Sequence, residues 1–213
     1  MRVLMLGDIF GKPGRKVTAE FLPQLQAEYE PDLIIANGEN AAGGFGLTKK
    51  VAEELFSLGI HVLTSGNHIW DQKEMVTYIA TEPRVLRPAN YPPGVPGQGV
   101  FVQEEKSLAV VSLSGRVYMD GFDCPFRTMD SILENLPDSV KYIIVDFHGE
   151  ATSEKIALGY YLDGRVSALA GTHTHVPTAD LRILPEGTAY VTDLGMCGPL
   201  DGVLGVEREE VIG

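Results

Sequence analysis

The chain contains 213 residues, of which 44% are hydrophobic and 22% are charged, so it can bury a core and fold as a domain. Asp and Glu (29) outnumber Lys and Arg (17), and the net charge of −12 argues against duplex nucleic acid or an anionic membrane surface as the main partner. A small phosphate ester held by a metal remains compatible with this charge, because a bound cation inverts the local field.

Targeting signals are absent from the sequence pattern. No apolar run reaches the roughly 18 residues of a transmembrane helix, and the N-terminus lacks the small-residue cleavage site of a signal peptide. The two cysteines, Cys124 and Cys197, are neither spaced as a metal pair nor numerous enough for a disulfide scaffold. These features predict a protein of the reducing cytoplasm.

The first 70 residues alternate between short apolar runs and helical periodicity. Thr48 is placed to cap a helix at its N-terminus, and Gly59 follows the end of that helix. The order strand, helix, strand, helix, strand predicts parallel strands joined by right-handed crossovers. The predicted strands cover 2–6, 33–36 and 61–65, and the predicted helices run from Arg15 to before Pro31 and from Thr48 to Gly59.

The pattern changes after residue 70. A helix is predicted to begin at Trp70, and the segment 87–97, rich in Pro and Gly, is predicted to be an ordered surface connection. We expect a single domain over 1–213 and a natural chain that continues beyond Gly213, which would leave the second sheet without its C-terminal strands. The other predicted elements are an antiparallel hairpin of strands 99–102 and 108–113, strands 142–147, 167–171 and 188–193, and helices 128–136 and 153–162.

Metal-binding side chains follow five of the predicted strands. In open α/β sheets the carboxyl ends of the strands are where ligands bind, and carboxylate oxygens with imidazole nitrogens suit Mn, Fe or Zn. Four of the five histidines lie at these ends, and only His61 lies elsewhere. The candidates are Asp8, Glu39 with Asn40, Asn67 with His68, His148, and His173 with His175.

Each candidate taken alone also has a structural reading. Asp8 could cap a helix or form a turn, Glu39 with Asn40 could be turn residues, and a single His148 could be a structural histidine. No phosphate-binding loop and no dinucleotide-binding glycine pattern is present. Cys197 has no evident activating base, so a nucleophilic cysteine is not indicated. The coincidence of five strand ends therefore favours a metal centre over these separate readings.

Several short motifs resemble one known family. The motifs at the five strand ends are similar, in the same order, to those of the calcineurin-like metallophosphoesterase superfamily. They are Gly7-Asp8, Gly38-Glu39-Asn40, Gly66-Asn67-His68, the later His148, and Gly-x-His-x-His at 171–175. A narrower resemblance is to the bacterial YmdB-like branch of this superfamily, the 2',3'-cyclic-AMP phosphodiesterases. It is carried by the segments 37–42, 66–71, 87–90, 150–155 and 171–176. The wider superfamily has Asp-x-His where this chain has Asp8-Ile9-Phe10, and a bridging Asp where it has Glu39. Asn40 could replace the missing ligand.

The resemblance implies a fold and a mechanism. We expect an α/β fold, a four-layer α/β/β/α sandwich with mixed sheets and two metal ions at the carboxyl ends of the central strands. Iron or manganese is expected, and zinc remains open. A hydroxide that bridges the ions would attack phosphorus, and His68 would protonate the leaving oxygen as general acid. Glu39 would bridge the ions; Asp8, Asn40 and His175 would complete one site, and Asn67, His148 and His173 the other.

The expected substrate is a small phosphodiester, in particular a 2',3'-cyclic nucleotide, and the resemblance also implies a homo-oligomer. Arg116 and Asn90, and also Arg87, lie in polar loops and could hold the substrate, although each could equally be a structural or solvated residue. Two alternatives remain open. One is a phosphomonoesterase or nuclease of the same fold, and the other is a regulatory module that uses the metal site for binding alone.

Overall fold

The computed structural model describes residues 1–213 and contains ten strands and six α-helices. The strands are β1 (Val3–Ile9), β2 (Leu33–Asn37), β3 (Val62–Thr64), β4 (Val100–Gln103), β5 (Leu108–Ser114), β6 (Tyr142–His148), β7 (Ala168–Thr172), β8 (Arg182–Ile183), β9 (Ala189–Val191) and β10 (Met196–Cys197). The helices are α1 (Gly11–Tyr29), α2 (Lys49–Ser57), α3 (Met75–Tyr78), α4 (Pro125–Asn135), α5 (Thr152–Tyr161) and α6 (Arg208–Ile212), with 3-10 turns at Asn67–Trp70 and Glu104–Lys106.

The strands form two sheets. The smaller has the order β10-β1-β2-β3, and all its pairs are parallel. The larger has the order β4-β5-β6-β7-β9-β8, with parallel pairs in the centre and antiparallel pairs at both edges. The larger sheet is mixed, as predicted. The smaller sheet differs from that prediction, because every strand that joins it arrives by a crossover and none by a hairpin.

The side chains of successive strand residues point to opposite faces of each sheet, and they pack into three hydrophobic clusters. On β2, Leu33 and Ile35 face the other sheet, and the inter-sheet cluster also contains Val110 of β5 and Ile144 of β6. The intervening Ile34 packs outward in a cluster with residues of α1 and α2. A third cluster joins the outer face of the larger sheet to α4 and α5. Because side chains alternate between faces along a strand, this pattern gives the predicted α/β/β/α sandwich.

Most predicted elements are present, one differs, and two short strands were not predicted. The helix expected from Trp70 is replaced by the 3-10 turn and the four-residue α3. The strands β8 and β10 were not predicted, since two residues are too short to show a period. Thr48 caps α2 through its hydroxyl, which accepts a hydrogen bond from the Val51 N–H at 3.2 Å. None of the helices combines the length and apolar character needed to cross a membrane.

Candidate metal centre

The carboxyl ends of five strands from the two sheets meet at one edge of the sandwich. Here the structure brings together the seven residues that the sequence predicted as metal ligands. They come from β1, from the turns after β2 and β3, from the end of β6, and from the turn after β7. The seven residues are Asp8, Glu39, Asn40, Asn67, His148, His173 and His175.

One half of this cluster surrounds the Nε2 atom of His148. Glu39 Oε1 lies 2.9 Å from it, Asn67 Oδ1 lies 3.2 Å from it, and His173 Nδ1 lies 3.0 Å from it. The ligand atoms of Glu39, His148 and His173 all lie within 4.8 Å of one another. Four donor atoms therefore converge on one small volume.

The other half surrounds the side-chain amide of Asn40. Its Nδ2 atom lies 3.3 Å from Asp8 Oδ1, 3.2 Å from His175 Nε2 and 3.3 Å from Glu39 Oε1. Glu39 thus contacts both halves of the cluster. The contacts therefore form two groups with Glu39 between them, and the assignment of these residues as metal ligands stays a prediction.

Hydrogen bonds on the outer ring nitrogens orient the three imidazoles. His175 Nδ1 donates to the Leu204 carbonyl at 3.0 Å, and His173 Nε2 lies 3.1 Å from the Glu150 carboxylate. His148 Nδ1 lies 3.0 Å from Thr172 Oγ1, whose hydroxyl donates to a carboxylate behind it. An imidazole that donates from its outer nitrogen offers the lone pair of its inner nitrogen once it is neutral, as metal-binding imidazoles do.

The charges of the cluster fit bound cations. Asp8 and Glu39 are fully buried and touch no Lys or Arg. Burial works to raise the pKa of both carboxyls, but the neighbouring imidazoles, His175 for Asp8 and His148 for Glu39, hold each pKa below its usual range. Burial works to lower the pKa of His148, and the charges of Glu39 and Asp8 raise it to about 9. The two carboxylates therefore require positive charge beside them, which is the role of a metal in such a donor set.

The turn after β7 is held in an unusual backbone conformation. His173 has φ 105° and His175 has φ 64°, in a region that residues other than glycine seldom adopt. The His173 N–H donates to Asp8 Oδ2 at 3.1 Å, and the Thr174 N–H donates to Asp193 Oδ2 at 3.1 Å. Strain of this kind persists where the surroundings over-determine it and is concentrated at functional sites.

A layer of buried polar residues beneath the cluster was not predicted. Asp146 accepts hydrogen bonds from Thr64, Thr172 and Asn37, and burial raises its pKa to about 6. The period of β6 places Asp146 and His148 on the same inter-sheet face. The sequence does carry one signal of this layer, because Asp146 is a charged residue within the otherwise apolar run of β6.

A buried ion pair supports the turn after β7 and was also not predicted. Lys155 Nζ donates to Asp193 Oδ2 at 2.6 Å and to the Thr172 carbonyl at 2.8 Å, and both side chains of the pair are almost fully buried. Asp193 also accepts from the Gly195 N–H at 2.8 Å. The pair connects α5 to the end of β7 at Thr172 and to the segment after β9 at Asp193.

His68 lies at the rim of the cluster rather than within it. Its backbone N–H donates to Glu39 Oε2 at 3.1 Å, and its Nδ1 lies 2.8 Å from the Asp71 carboxylate. The imidazole is about one-third exposed and packs edge-on against Phe45, with ring centroids 5.3 Å apart. A cavity of about 330 Å³ extends from His68 over Glu39 and His175.

The predicted substrate-binding residues lie elsewhere. Asn90 is buried, its Nδ2 donates to the carbonyls of Ser114 and Asp123, and its Oδ1 accepts from the Ser114 N–H. Arg87 donates to main-chain carbonyls of its own segment. This corrects the prediction of a substrate contact for Asn90 and Arg87, because their polar atoms are occupied by main chain. The exposed Arg116 is held through its backbone, whose N–H donates to Glu154 and whose carbonyl accepts from the Met119 N–H, so its side chain stays a candidate.

Gly66 is required by the packing of His148, because an added Cβ would overlap the His148 imidazole. We expect Gly66→Ala to lower the free energy of unfolding by roughly 1–3 kcal/mol, as overpacking does, and to weaken metal binding. Denaturation and metal titration measure the two effects.

The matched control is Gly149→Ala, where an added Cβ would meet its nearest neighbour at 3.6 Å. This variant should keep the stability and metal content of the parent protein. Equal behaviour of the two alanine variants would contradict the packing explanation for Gly66.

The two facing sheets, the outer helices and the donor cluster at the carboxyl ends define a metallophosphoesterase, a class of hydrolases that act on phosphate esters. This agrees with the predicted fold and with the prediction of an enzyme. The chain belongs to the YmdB-like protein family, whose model matches residues 4–213. A "2',3'-cyclic-nucleotide 2'-phosphodiesterase" of Bacillus subtilis is 51% identical over 214 residues, which cover 100% of this chain and 81% of that protein.

Solved structures agree with this assignment. A protein from Thermus thermophilus superposes with a TM-score of 0.93 at 46% identity and covers 100% of this chain and 83% of its own. A structure described as a novel phosphatase of Mycoplasma pneumoniae superposes with a TM-score of 0.92 at 39% identity, and covers 99% of this chain and 77% of its own.

Proposed function

We propose that this protein hydrolyses 2',3'-cyclic nucleotides at the ester bond to the 2' oxygen. Water would add to phosphorus, the bond from phosphorus to the 2' oxygen would break, and a proton would pass to that oxygen, leaving a nucleoside 3'-phosphate. The observation that carries the proposal is the His68–Asp71 pair at the rim of a donor cluster that contains Glu39, His148 and His173. The printed name of the Bacillus subtilis relative supports the choice of substrate.

The cluster would hold two metal ions, and iron or manganese would suit its mixture of imidazole, carboxylate and amide donors. Asp8, Asn40 and His175 would hold one ion, Asn67, His148 and His173 the other, and Glu39 both. When bound, such ions make a water molecule nucleophilic at neutral pH and stabilise charge on the phosphoryl oxygens. The cytoplasmic location and the homo-oligomer stay predictions.

His68 would act as the general acid. The Asp71 carboxylate holds Nδ1 at 2.8 Å, which leaves Nε2 as the atom that gives a proton to the 2' oxygen. Imidazole suits this task near neutral pH. The hydrogen bond from the His68 N–H to Glu39 ties the position of the acid to the carboxylate between the two halves of the cluster.

The test is turnover by protein that has been stripped with a chelator and reloaded separately with manganese, iron or zinc. We expect conversion of 2',3'-cyclic AMP to 3'-AMP, separated from 2'-AMP and adenosine by chromatography, with no turnover before reloading. Hydrolysis of 3'-AMP to adenosine with no turnover of the cyclic ester would favour a phosphomonoesterase, in line with the description of the Mycoplasma structure. Absence of ester hydrolysis by fully loaded protein would favour a binding module.

A further inference from the structure

A second cavity adjoins the donor cluster at Asn67 and His173. It has a volume of about 440 Å³ and shares His173 and Glu150 with the cavity above His68. One wall is a segment of the loop between β5 and α4, which we call the 118–120 wall. Its lining residues are Asn67, Glu150 and His173 on the side of the cluster, and Tyr118, Met119 and Asp120 on the wall.

Main-chain contacts hold this wall in place. The backbone N–H groups of Arg116 and Val117 donate to the Glu154 carboxylate at 3.0 and 3.2 Å. The buried amide of Asn90 holds both ends of the loop, through Ser114 and Asp123. The position of the wall is therefore set by α5 and by the core, in which Met119 of the wall is itself buried.

Tyr118 is the exceptional residue of the wall. It is 90% exposed, the highest value of any aromatic side chain in the protein, and its φ of 62° is in the left-handed region. None of the aromatic pairs or cation–π contacts includes its ring. An anchored loop thus presents an aromatic ring with both faces free beside a phosphate-ester site.

The cavity is lined by negative charge, which favours the nucleobase of a nucleotide over a phosphate group as its occupant. Asp120 and Glu150 contribute carboxylates, and no Lys or Arg lines the cavity. Carboxylates repel a second phosphate and accept hydrogen bonds from amino and hydroxyl groups. A nucleobase has both an aromatic face and hydrogen-bond donors, so it matches a wall that combines a free ring with acceptors.

We propose that Tyr118 stacks on the nucleobase of the substrate and that this contact selects nucleotides over other cyclic phosphodiesters. The inference rests on the proposed function, because it places the phosphate of the same substrate at the metal centre. Stacking of a base on an aromatic side chain contributes about 1–3 kcal/mol. Tyr118 is therefore assigned as a substrate-binding residue that acts on KM.

The experiment compares two substrates that share the five-membered cyclic phosphodiester, 2',3'-cyclic AMP and glycerol 1,2-cyclic phosphate, which has no base. For Tyr118→Ala we expect KM for 2',3'-cyclic AMP to rise about tenfold, within the range for a lost stack, with kcat nearly unchanged. KM for the glycerol ester should not change. Tyr118→Phe should behave as the parent protein, because it keeps the ring. The matched control, Tyr29→Ala, removes an exposed tyrosine at the end of α1.

Two outcomes would overturn the inference. They are an unchanged KM for 2',3'-cyclic AMP in Tyr118→Ala, and equal losses on both substrates. Binding of 3'-AMP to metal-loaded protein, measured by calorimetry, gives a readout without turnover and should weaken by a similar factor. If the parent protein hydrolyses neither ester, the proposed function fails, while the calorimetric comparison still tests the base contact.

Discussion

His68→Ala is expected to lower kcat for 2',3'-cyclic AMP by about 10²- to 10⁴-fold, the usual contribution of a general acid. The physical reason is that the 2' oxygen would leave as an alkoxide without a proton donor. Metal content should remain that of the parent protein, because the His68 ring is held by Asp71 and does not contact the donor atoms of the cluster. Steady-state kinetics and elemental analysis of the same preparation measure both quantities.

The leaving group distinguishes a proton donor from a structural residue. Nitrophenolate leaves without protonation, so His68→Ala should lose much less activity on bis-p-nitrophenyl phosphate than on 2',3'-cyclic AMP. His61→Gln is the matched control, since His61 is the histidine outside the cluster and its Nδ1 accepts the Ile34 N–H. Loss of metal from His68→Ala, or equal losses on the two substrates, would show that the acid is another group.

Lys155→Met is expected to lower the free energy of unfolding by about 3–5 kcal/mol, the cost of leaving one charge of a buried pair without its partner. Lys155 and Asp193 are almost fully buried. The Thr172 carbonyl would also lose one of its two donors and keep only the longer hydrogen bond from the Gly149 N–H. Denaturant unfolding of the metal-free protein measures the change. Because Asp193 holds the turn that carries His173 and His175, we also expect weaker metal binding.

An exposed pair provides the control for Lys155. Arg165 and Asp130 form an ion pair at 2.6 Å with both side chains partly exposed, so Arg165→Ala should cost only about 0–1 kcal/mol. Adding Asp193→Asn to Lys155→Met should recover part of the loss, because it removes the unpaired charge. A Lys155→Met variant as stable as Arg165→Ala would contradict the assigned role of the buried pair.

The sequence by itself determined the order of the elements and the residues of the cluster. Apolar periods indicate strands and helices locally, and β-α-β connections force parallel strands whose carboxyl ends meet. Asp8 and Glu39 therefore had to approach one another once β1 and β2 paired. His148 ends β6 of the other sheet and joins them only through the packing of the two sheets. Their residue types limit the chemistry, because carboxylate and imidazole donors together bind transition metals.

Only the tertiary structure decided what surrounds and supports the cluster. Asn90 and Tyr118 are both polar-loop residues in the sequence, yet Asn90 is buried with its amide fully bonded and Tyr118 is almost fully exposed beside the centre. Lys155 is paired with Asp193, 38 residues away along the chain. Such contacts join segments that are distant in sequence, and burial depends on every layer packed above a residue, so no local pattern carries this information.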